Sequence, residues 1–189
     1  MDLIAKYNSF EIKFWDNTKL IFSGARSTER FRYIWELSDS EKNTISKIKL
    51  KPYIISFSLN EEYLISYVFN NITYSLILFY KVKKAPHYKV VFNDDLYEII
   101  VHKGTKISFF KNHLQFAYLM EQPTSIGFSG KLNIVADDDI NISFFCTIIY
   151  AIICKQETDD GNINFNIGNL SPELRKFDTQ WQPKLKFSN

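Results

Sequence analysis

The feature that most constrains this chain is an apolar run over residues 140–154, with the sequence INISFFCTIIYAIIC. Its residue types favour a strand locally, but strands usually have only ~3–10 residues. Fifteen residues without a breaker instead predict a helix of about 22 Å. Because the run is apolar on every side, such a helix must be buried all round. It is shorter than the ~20 residues that a membrane-spanning helix needs.

Three aspartates, Asp137, Asp138 and Asp139, precede the apolar run, and Lys155 follows it. Acidic side chains at a helix start cap free N–H groups and compensate the positive end of the helix dipole. The pattern therefore predicts a core helix over about 138–155. A hard-cation site is the alternative for three carboxylates, but they lack the alternating spacing of a calcium loop. Capping is the interpretation that we prefer.

The two cysteines, Cys146 and Cys154, both lie in this run. On a helix they are more than two turns apart, whereas a disulfide needs a Cα–Cα distance of ~4.4–6.8 Å. We therefore expect two free, buried thiols that act as small hydrophobic groups. The N-terminal residues have no pattern of a secretory signal, so we expect a reducing, cytoplasmic location.

The residues before the apolar run have the pattern of short strands joined by polar turns. Apolar and charged residues alternate, as in Phe10, Ile12 and Phe14 against Glu11 and Lys13. About a dozen such pieces follow one another, without a helical period between them. This spacing predicts an all-β protein and leaves no room for the crossover helices of a parallel sheet. A closed antiparallel barrel of about 12 strands around the buried helix satisfies the whole pattern.

One domain is the default for a chain of 189 residues, since domains commonly have ~100–200 residues. We expect the barrel with its core helix over 1–157, followed by a polar, Asn-rich C-terminal extension over 158–189. The Ser-Pro-Glu sequence at 171–173 is typical of a helix start. It predicts a short helix over about 172–178.

Several short motifs occur in a recognisable order. Phe-Glu-Ile at 10–12 is followed by Leu-Ile-Phe at 20–22, and Tyr-Glu-Ile at 97–99 by a glycine turn and strand at 104–107. With the acidic lead into the apolar run, this order resembles the tubby C-terminal-like superfamily. The resemblance is strongest to the LURP-one-related and bacterial tubby-like proteins, distant relatives of the phospholipid scramblases, and covers roughly residues 5–157. It implies a twelve-stranded barrel around a central helix.

The resemblance also bears on function. Tubby proteins bind phosphoinositides through basic residues, so it implies a binding module for anionic phospholipid headgroups. The turns of this chain contain fewer glycines than the family pattern, and the C-terminal extension lies beyond the usual end of the family. No binding residue of the family is therefore carried over to a position of this chain.

The sequence contains no catalytic motif of a known kind. It has no nucleophile elbow, no phosphate-binding glycine loop and no closely spaced set of metal ligands. We therefore predict that the chain is not an enzyme and uses no metal or cofactor. Its net charge of +2 lacks the basic excess of nucleic-acid-binding proteins. The predicted class is a non-enzymatic intracellular binding module without a transmembrane segment.

Four lysines lie close together in the middle of the sequence: Lys81, Lys83, Lys84 and Lys89. A lysine cluster is able to hold phosphoinositide headgroups, so these residues are our candidates for docking on an anionic phospholipid or membrane surface. The alternative is that they protect an exposed strand edge from pairing with other chains. The sequence by itself favours this second interpretation, because lysines commonly guard strand edges.

A protein partner is the second functional hypothesis. The extension over 156–189 carries two large aromatic residues, Trp181 and Phe187, among polar neighbours. Exposed aromatic residues are enriched at protein–protein contacts. We therefore predict that Trp181 and Phe187 contact a partner, if the extension is an interaction arm. The alternative is that it folds back on the barrel.

Overall fold

The computed structural model describes residues 1–8, 10–29, 32–50, 60–81, 87–104, 106–123, 129–160 and 174–185. One of the dozen predicted strands is the alternating piece YIISFSLN at 53–60, and all of it except Asn60 lies outside the described residues. The strands are β1 (Asp2–Tyr7), β2 (Glu11–Asp16), β3 (Lys19–Glu29), β4 (Arg32–Asp39), β5 (Thr44–Leu50), β6 (Asn60–Phe69), β7 (Ile72–Lys81), β8 (His87–Phe92), β9 (Asp95–Val101), β10 (Lys106–Lys111), β11 (Leu114–Pro123) and β12 (Gly130–Ala136). The helix is α1 (Ile142–Asp160).

The strands form one closed antiparallel barrel. Each strand pairs with its neighbours in sequence, and β1 pairs with β12 to complete the ring. Closure gives every strand a partner on both sides, which removes exposed sheet edges. The predicted closed antiparallel barrel of about 12 strands is confirmed.

Three tight turns mark one end of the barrel. Both central residues of the turns at 70–71, 93–94 and 112–113 have positive φ, between 48° and 71°. Two consecutive residues of this kind are typical of type I′ hairpins, which favour asparagine. We call this barrel end, which also carries the link at 137–141, the mouth. α1 therefore begins at the mouth and runs into the barrel.

α1 fills the barrel interior. Every residue from 144 to 154 exposes at most 2% of its surface, so the prediction of a helix buried all round is confirmed. Both cysteines are buried and neither forms a disulfide, and burial raises the pKa of the Cys146 thiol. No helix in the described part of the chain is both long and apolar enough to cross a membrane.

α1 begins later than the sequence predicts, at Ile142 instead of 138. Its cap is Asn141, whose Oδ1 accepts a hydrogen bond from Phe144 N at 3.1 Å. The carbonyl oxygen of Asn141 also accepts the first helical hydrogen bond, from Phe145 N at 3.0 Å. The prediction that the three preceding aspartates cap the helix is therefore wrong. α1 ends at Asp160, so the predicted domain boundary at 157 lies within it.

α1 is held against one side of the barrel and lies closest to β3, β4, β5 and β6. Thr147 Oγ1 donates a hydrogen bond to Ser46 Oγ on β5 at 3.1 Å. Nearer the mouth, the hydroxyl of Tyr67 on β6 donates to Asn141 Oδ1 at 3.1 Å. Because both contacts are polar and partly or fully buried, they fix the height and rotation of the helix.

A glycine makes room for the helix on the same side. An ideal Cβ at Gly24 on β3 would lie only 2.6 Å from a ring carbon of Tyr150. Tyr150 on α1 is itself buried. Glycine inside a strand often marks such a close approach. The wall formed by β3 to β6 is therefore packed tightly against the helix.

The described part of the extension, residues 174–185, packs on the outside of the barrel. The rings of Phe177 and Trp181 each meet the ring of Tyr118 edge to face, with centroids 5.7 and 5.8 Å apart. Tyr118 alternates with buried core residues on β11, so it faces outward. Residues 174–178 of the short helix predicted at 172–178 are not helical, and the other two lie outside the described residues.

Candidate functional site

A pocket of about 360 Å³ lies at the mouth, between the first two turns of α1 and strands β8 to β11. Ligand pockets commonly have ~300–1,000 Å³. Since a water molecule takes ~30 Å³ in the liquid, this one has room for about a dozen waters or one small organic molecule. It lies across the helix from the tightly packed wall of β3 to β5.

The pocket has a buried floor and an exposed rim. Phe109, Phe145 and Ile148 line it at depth, and each exposes at most 2% of its surface. Leu114 and Asp139, which also line it, are exposed at the mouth. A ligand that enters from solvent would therefore pass a polar rim before it reaches an apolar interior.

Aromatic rings form a large part of the pocket wall. Phe144 stacks on Phe92 with ring centroids 4.6 Å apart and meets Tyr97 at 4.8 Å. Phe145 meets Phe109 edge to face at 4.9 Å. The first turn of α1 thus places two adjacent phenylalanines against rings from β8, β9 and β10. Such walls offer large apolar faces that carry partial negative charge.

A bulge in β11 shapes the wall opposite the helix. Neighbouring residues of a regular strand point to opposite faces, yet Gln115 and Phe116 both line the pocket. The register shifts so that Ala117 opposes Phe109 while Gln115 opposes Phe110, which leaves Phe116 as an extra residue. Bulges of this kind redirect side chains and are common near binding sites.

Gln115 is a polar group of the pocket with unused hydrogen-bonding capacity. Its Nε2 is buried and has no hydrogen-bond partner among the described residues, whereas its backbone carbonyl oxygen accepts a hydrogen bond from Trp181 Nε1 at 3.1 Å. A buried donor without a partner costs ~1–3 kcal/mol.

Asp137 is a buried carboxylate that lines the pocket, with 3% of its surface exposed. Its Oδ1 accepts a hydrogen bond from Lys184 N at 2.7 Å, and Lys184 O accepts one from Asp138 N at 3.0 Å. The extension is thereby joined to the link at 137–141 as if it were a short strand. Within the described ranges, no group of three or more His, Cys, Asp or Glu residues is arranged to hold a metal ion.

An ion pair occupies the rim. Lys111 Nζ lies 2.7 Å from Asp95 Oδ2, and this hydrogen bond lowers the pKa of Asp95 and raises that of Lys111. The same ammonium lies 5.9 Å from the ring centroid of Tyr97, whose own pKa is raised by burial. Partly exposed pairs contribute only ~0–1 kcal/mol to stability. The pair therefore orients rim side chains and adds no net charge.

The described residues do not bring the four candidate lysines together. The backbone of Lys81 lies at the end of β7 away from the mouth, and Lys83 and Lys84 lie outside the described residues. Lys89 on β8 forms an ion pair with Glu98 on β9, with Nζ and Oε1 2.6 Å apart. That hydrogen bond lowers the pKa of Glu98. Phospholipid docking through these lysines stays a prediction.

Of the two candidate partner contacts, the structure describes Trp181 but not Phe187. Trp181 is half-buried, because its ring packs on Tyr118 and its indole N–H bonds to the β11 backbone. Phe187 lies outside the described residues. The protein-partner hypothesis stays a prediction, and for Trp181 it requires the extension to leave the barrel or to present its remaining exposed edge.

The sequence alone did not point to the pocket residues. Phe144 and Phe145 belong to a run that is apolar throughout, so nothing in its pattern separates core from pocket wall. Gln115 was available as a signal, since it is a polar residue inside the apolar segment LQFAYL. Scanned against protein-family models, curated proteins and solved structures, the chain gives no match, so the tubby-like resemblance stays a prediction.

Proposed function

We propose that this chain is a non-enzymatic binding module whose ligand enters the pocket between α1 and β8 to β11. The observation that carries the proposal is the pocket itself, about 360 Å³ with an aromatic wall and a polar rim at the mouth. Protein interiors rarely contain voids larger than a water molecule. Apolar walls with a few placed polar groups are the usual composition of a small-molecule site.

The attachment of α1 explains why the pocket does not close. The helix is tied to β5 by Thr147 and to β6 by the hydrogen bond between Tyr67 and Asn141. A shift of α1 toward β9 to β11 would break both contacts. Thr147 would keep its hydrogen bond to Ser143 O, but the buried hydroxyl of Ser46 would lose the partner that it has among the described residues, at ~1–3 kcal/mol. The same barrel wall that holds the helix therefore keeps the opposite side open.

The rim carboxylates favour binding over acid–base catalysis. Hydrogen bonds from Lys111 to Asp95 and from Lys89 to Glu98 lower the pKa of each carboxylate. A general acid or base works best when its pKa lies near the operating pH. Carboxylates with lowered pKa values stay ionised near neutral pH and suit the orientation of a ligand better than proton transfer.

Docking on anionic phospholipid headgroups is the narrower function that the resemblance implies. It stays a prediction, as does a cytoplasmic location. The pocket gives it little support, because carboxylates at the mouth repel a phosphate. A headgroup site would then lie elsewhere on the barrel, towards the end at which Lys81 lies.

We expect small aromatic fragments to bind in this pocket. In a protein with labelled isoleucine δ1-methyl groups, NMR titration with a fragment library should shift the Ile148 signal most. Ile149 and Ile152 serve as internal references, because both are buried in α1 and do not line the pocket. An Ile148→Phe variant should lose the binding, since its ring occupies the pocket. In that variant the methyl signals of Ile99 and Ile140, which also line the pocket, report on binding.

The matched control is Ile152→Leu, which conserves volume one turn deeper in the helix and should leave fragment affinity unchanged. Shifts of equal size at all three methyl groups would contradict the proposal. Unchanged fragment affinity in Ile148→Phe would contradict it as well, because the ligand would then lie outside the pocket.

A further inference from the structure

We infer that the pocket takes a small organic cation, an ammonium group attached to an apolar body. This inference rests on the proposed function, because it names the ligand class of the same pocket. Three features of the described residues carry it: the charge of the lining, one buried carboxylate and the aromatic wall. The helix start, which favours the opposite charge, has to be weighed against them.

The pocket lining has an excess of negative charge. Four carboxylates and two ammonium groups line it. The pairs Lys111–Asp95 and Lys89–Glu98 neutralise two of these carboxylates. Asp137 and Asp139 remain, and among the described lining residues Lys184 is their one counter-charge. Lys184 is exposed, so solvent screens its ammonium more than it screens the buried carboxylate.

Asp137 has the capacity to bind a cation. A carboxylate has about four acceptor sites. Among the described residues, the Asp137 carboxylate accepts one hydrogen bond, from the backbone N of Lys184. Only 3% of the residue is exposed, and a buried charge is unfavourable without a counter-charge. A ligand ammonium in the pocket would supply that counter-charge.

The aromatic wall favours the same ligand class. A cation within ~6 Å of a ring centroid is attracted by the negative ring face. The chain itself provides an instance at the rim, where Lys111 Nζ lies 5.9 Å from the centroid of Tyr97. Deeper in the pocket, Phe92 and Phe144 present further rings. These two rings stack on each other with centroids 4.6 Å apart, so they supply apolar contact for the substituents of the ammonium group.

The start of α1 opposes a cation but is the weaker effect. A helix N-terminus is equivalent to roughly half a positive charge, and its influence falls off within the first turn. Part of it is already satisfied, since Asn141 Oδ1 accepts a hydrogen bond from Phe144 N. Asp137 and Asp139, which form no ion pair among the described residues, place two carboxylates at the same mouth. The balance therefore favours a cation.

The test compares three probes of one shape: benzyltrimethylammonium, its uncharged isostere neopentylbenzene and the anionic phenylmethanesulfonate. Binding to the full chain is followed through the Ile148 methyl signal. We expect the dissociation constant of the cation to be at least ~10-fold lower than that of the isostere. The sulfonate should give no shift.

Two variants locate the charge effect. Asp139→Asn should weaken the binding of the cation by about two- to fivefold and leave the affinity of the isostere unchanged. Glu11→Gln removes the same charge at the barrel end opposite the mouth, where β2 begins, and should change neither affinity. If the isostere binds as tightly as the cation or more tightly, the inference of a cationic ligand is wrong, although the pocket is still the binding site. No shift with any probe would overturn both.

Discussion

Replacing Ile149 with Asp is expected to prevent folding. Ile149 is fully buried in the middle of α1, where an unpaired carboxylate costs several kcal/mol. Protonation lowers that penalty but leaves a polar group without hydrogen-bond partners. The lost isoleucine packing adds ~2–5 kcal/mol. Together these terms rival the whole stability of a domain, ~5–15 kcal/mol.

The measurement for Ile149→Asp is circular dichroism with a proton–nitrogen correlation spectrum. We expect no cooperative melting transition and no dispersed signals. Ile149→Val is the control, because it removes a single methyl group and should cost only ~0.5–1.5 kcal/mol. A soluble Ile149→Asp protein that melts cooperatively near the wild-type temperature would show that α1 is not the core.

Gly24→Ala is expected to destabilise the protein by about 2–3 kcal/mol, the range of an overpacked core. The new Cβ would lie 2.6 Å from a ring carbon of Tyr150 and 2.7 Å from Ile12 Cγ2. Both neighbours are buried, so neither is free to move aside. Denaturant unfolding measures the loss. Gly104→Ala is a useful comparison, because no atom lies within 4 Å of its new Cβ and only a φ of +75° opposes it.

A double-mutant cycle identifies the cause of the Gly24→Ala effect. If the clash with Tyr150 dominates, Tyr150→Leu should cost less in the Gly24→Ala background than in the wild type. The expected coupling lies in the range of ~0.5–3 kcal/mol that contacting residues show. Additive effects would mean that the helix does not press on β3 at this point.

The core helix and the barrel are predictable from the sequence because each depends on a local pattern. Residues 140–154 are apolar on every side, and burial is the environment in which such a helix is stable. The Asn70-Asn71 turn follows from the preference of asparagine for positive φ, which both residues adopt. Patterns of this kind require no knowledge of distant contacts.

The start of α1 was not predictable in the same way, because several residues compete for the cap. Aspartate and asparagine are about equally good at this position. The competition is decided by the barrel, since Asp137 N donates a hydrogen bond to Phe116 O and so extends the pairing of β12 with β11. That contact joins residues far apart in sequence, and the helix starts only after the strand pairing has ended.

The pocket depends on two further contacts between distant residues. One is the bulge at Phe116, which appears only when β11 is aligned with β10. The other is the tight approach of Tyr150 to Gly24 on the opposite wall. Glycine inside the strand pattern KLIFSGAR was the available signal of a close approach. Which element approaches it cannot be read from the strand alone.

The central claim is that α1 packs tightly against one wall and leaves a pocket at the other. The most direct test compares the unfolding free energies of Ile148→Phe and Ile152→Phe, one helical turn apart. Ile148 lines the pocket and Ile152 does not, although both are buried. Ile148→Phe should stay within about 1 kcal/mol of wild type, whereas Ile152→Phe should lose ~1–3 kcal/mol or more. Equal losses, or a larger loss at Ile148, would contradict the existence of the pocket.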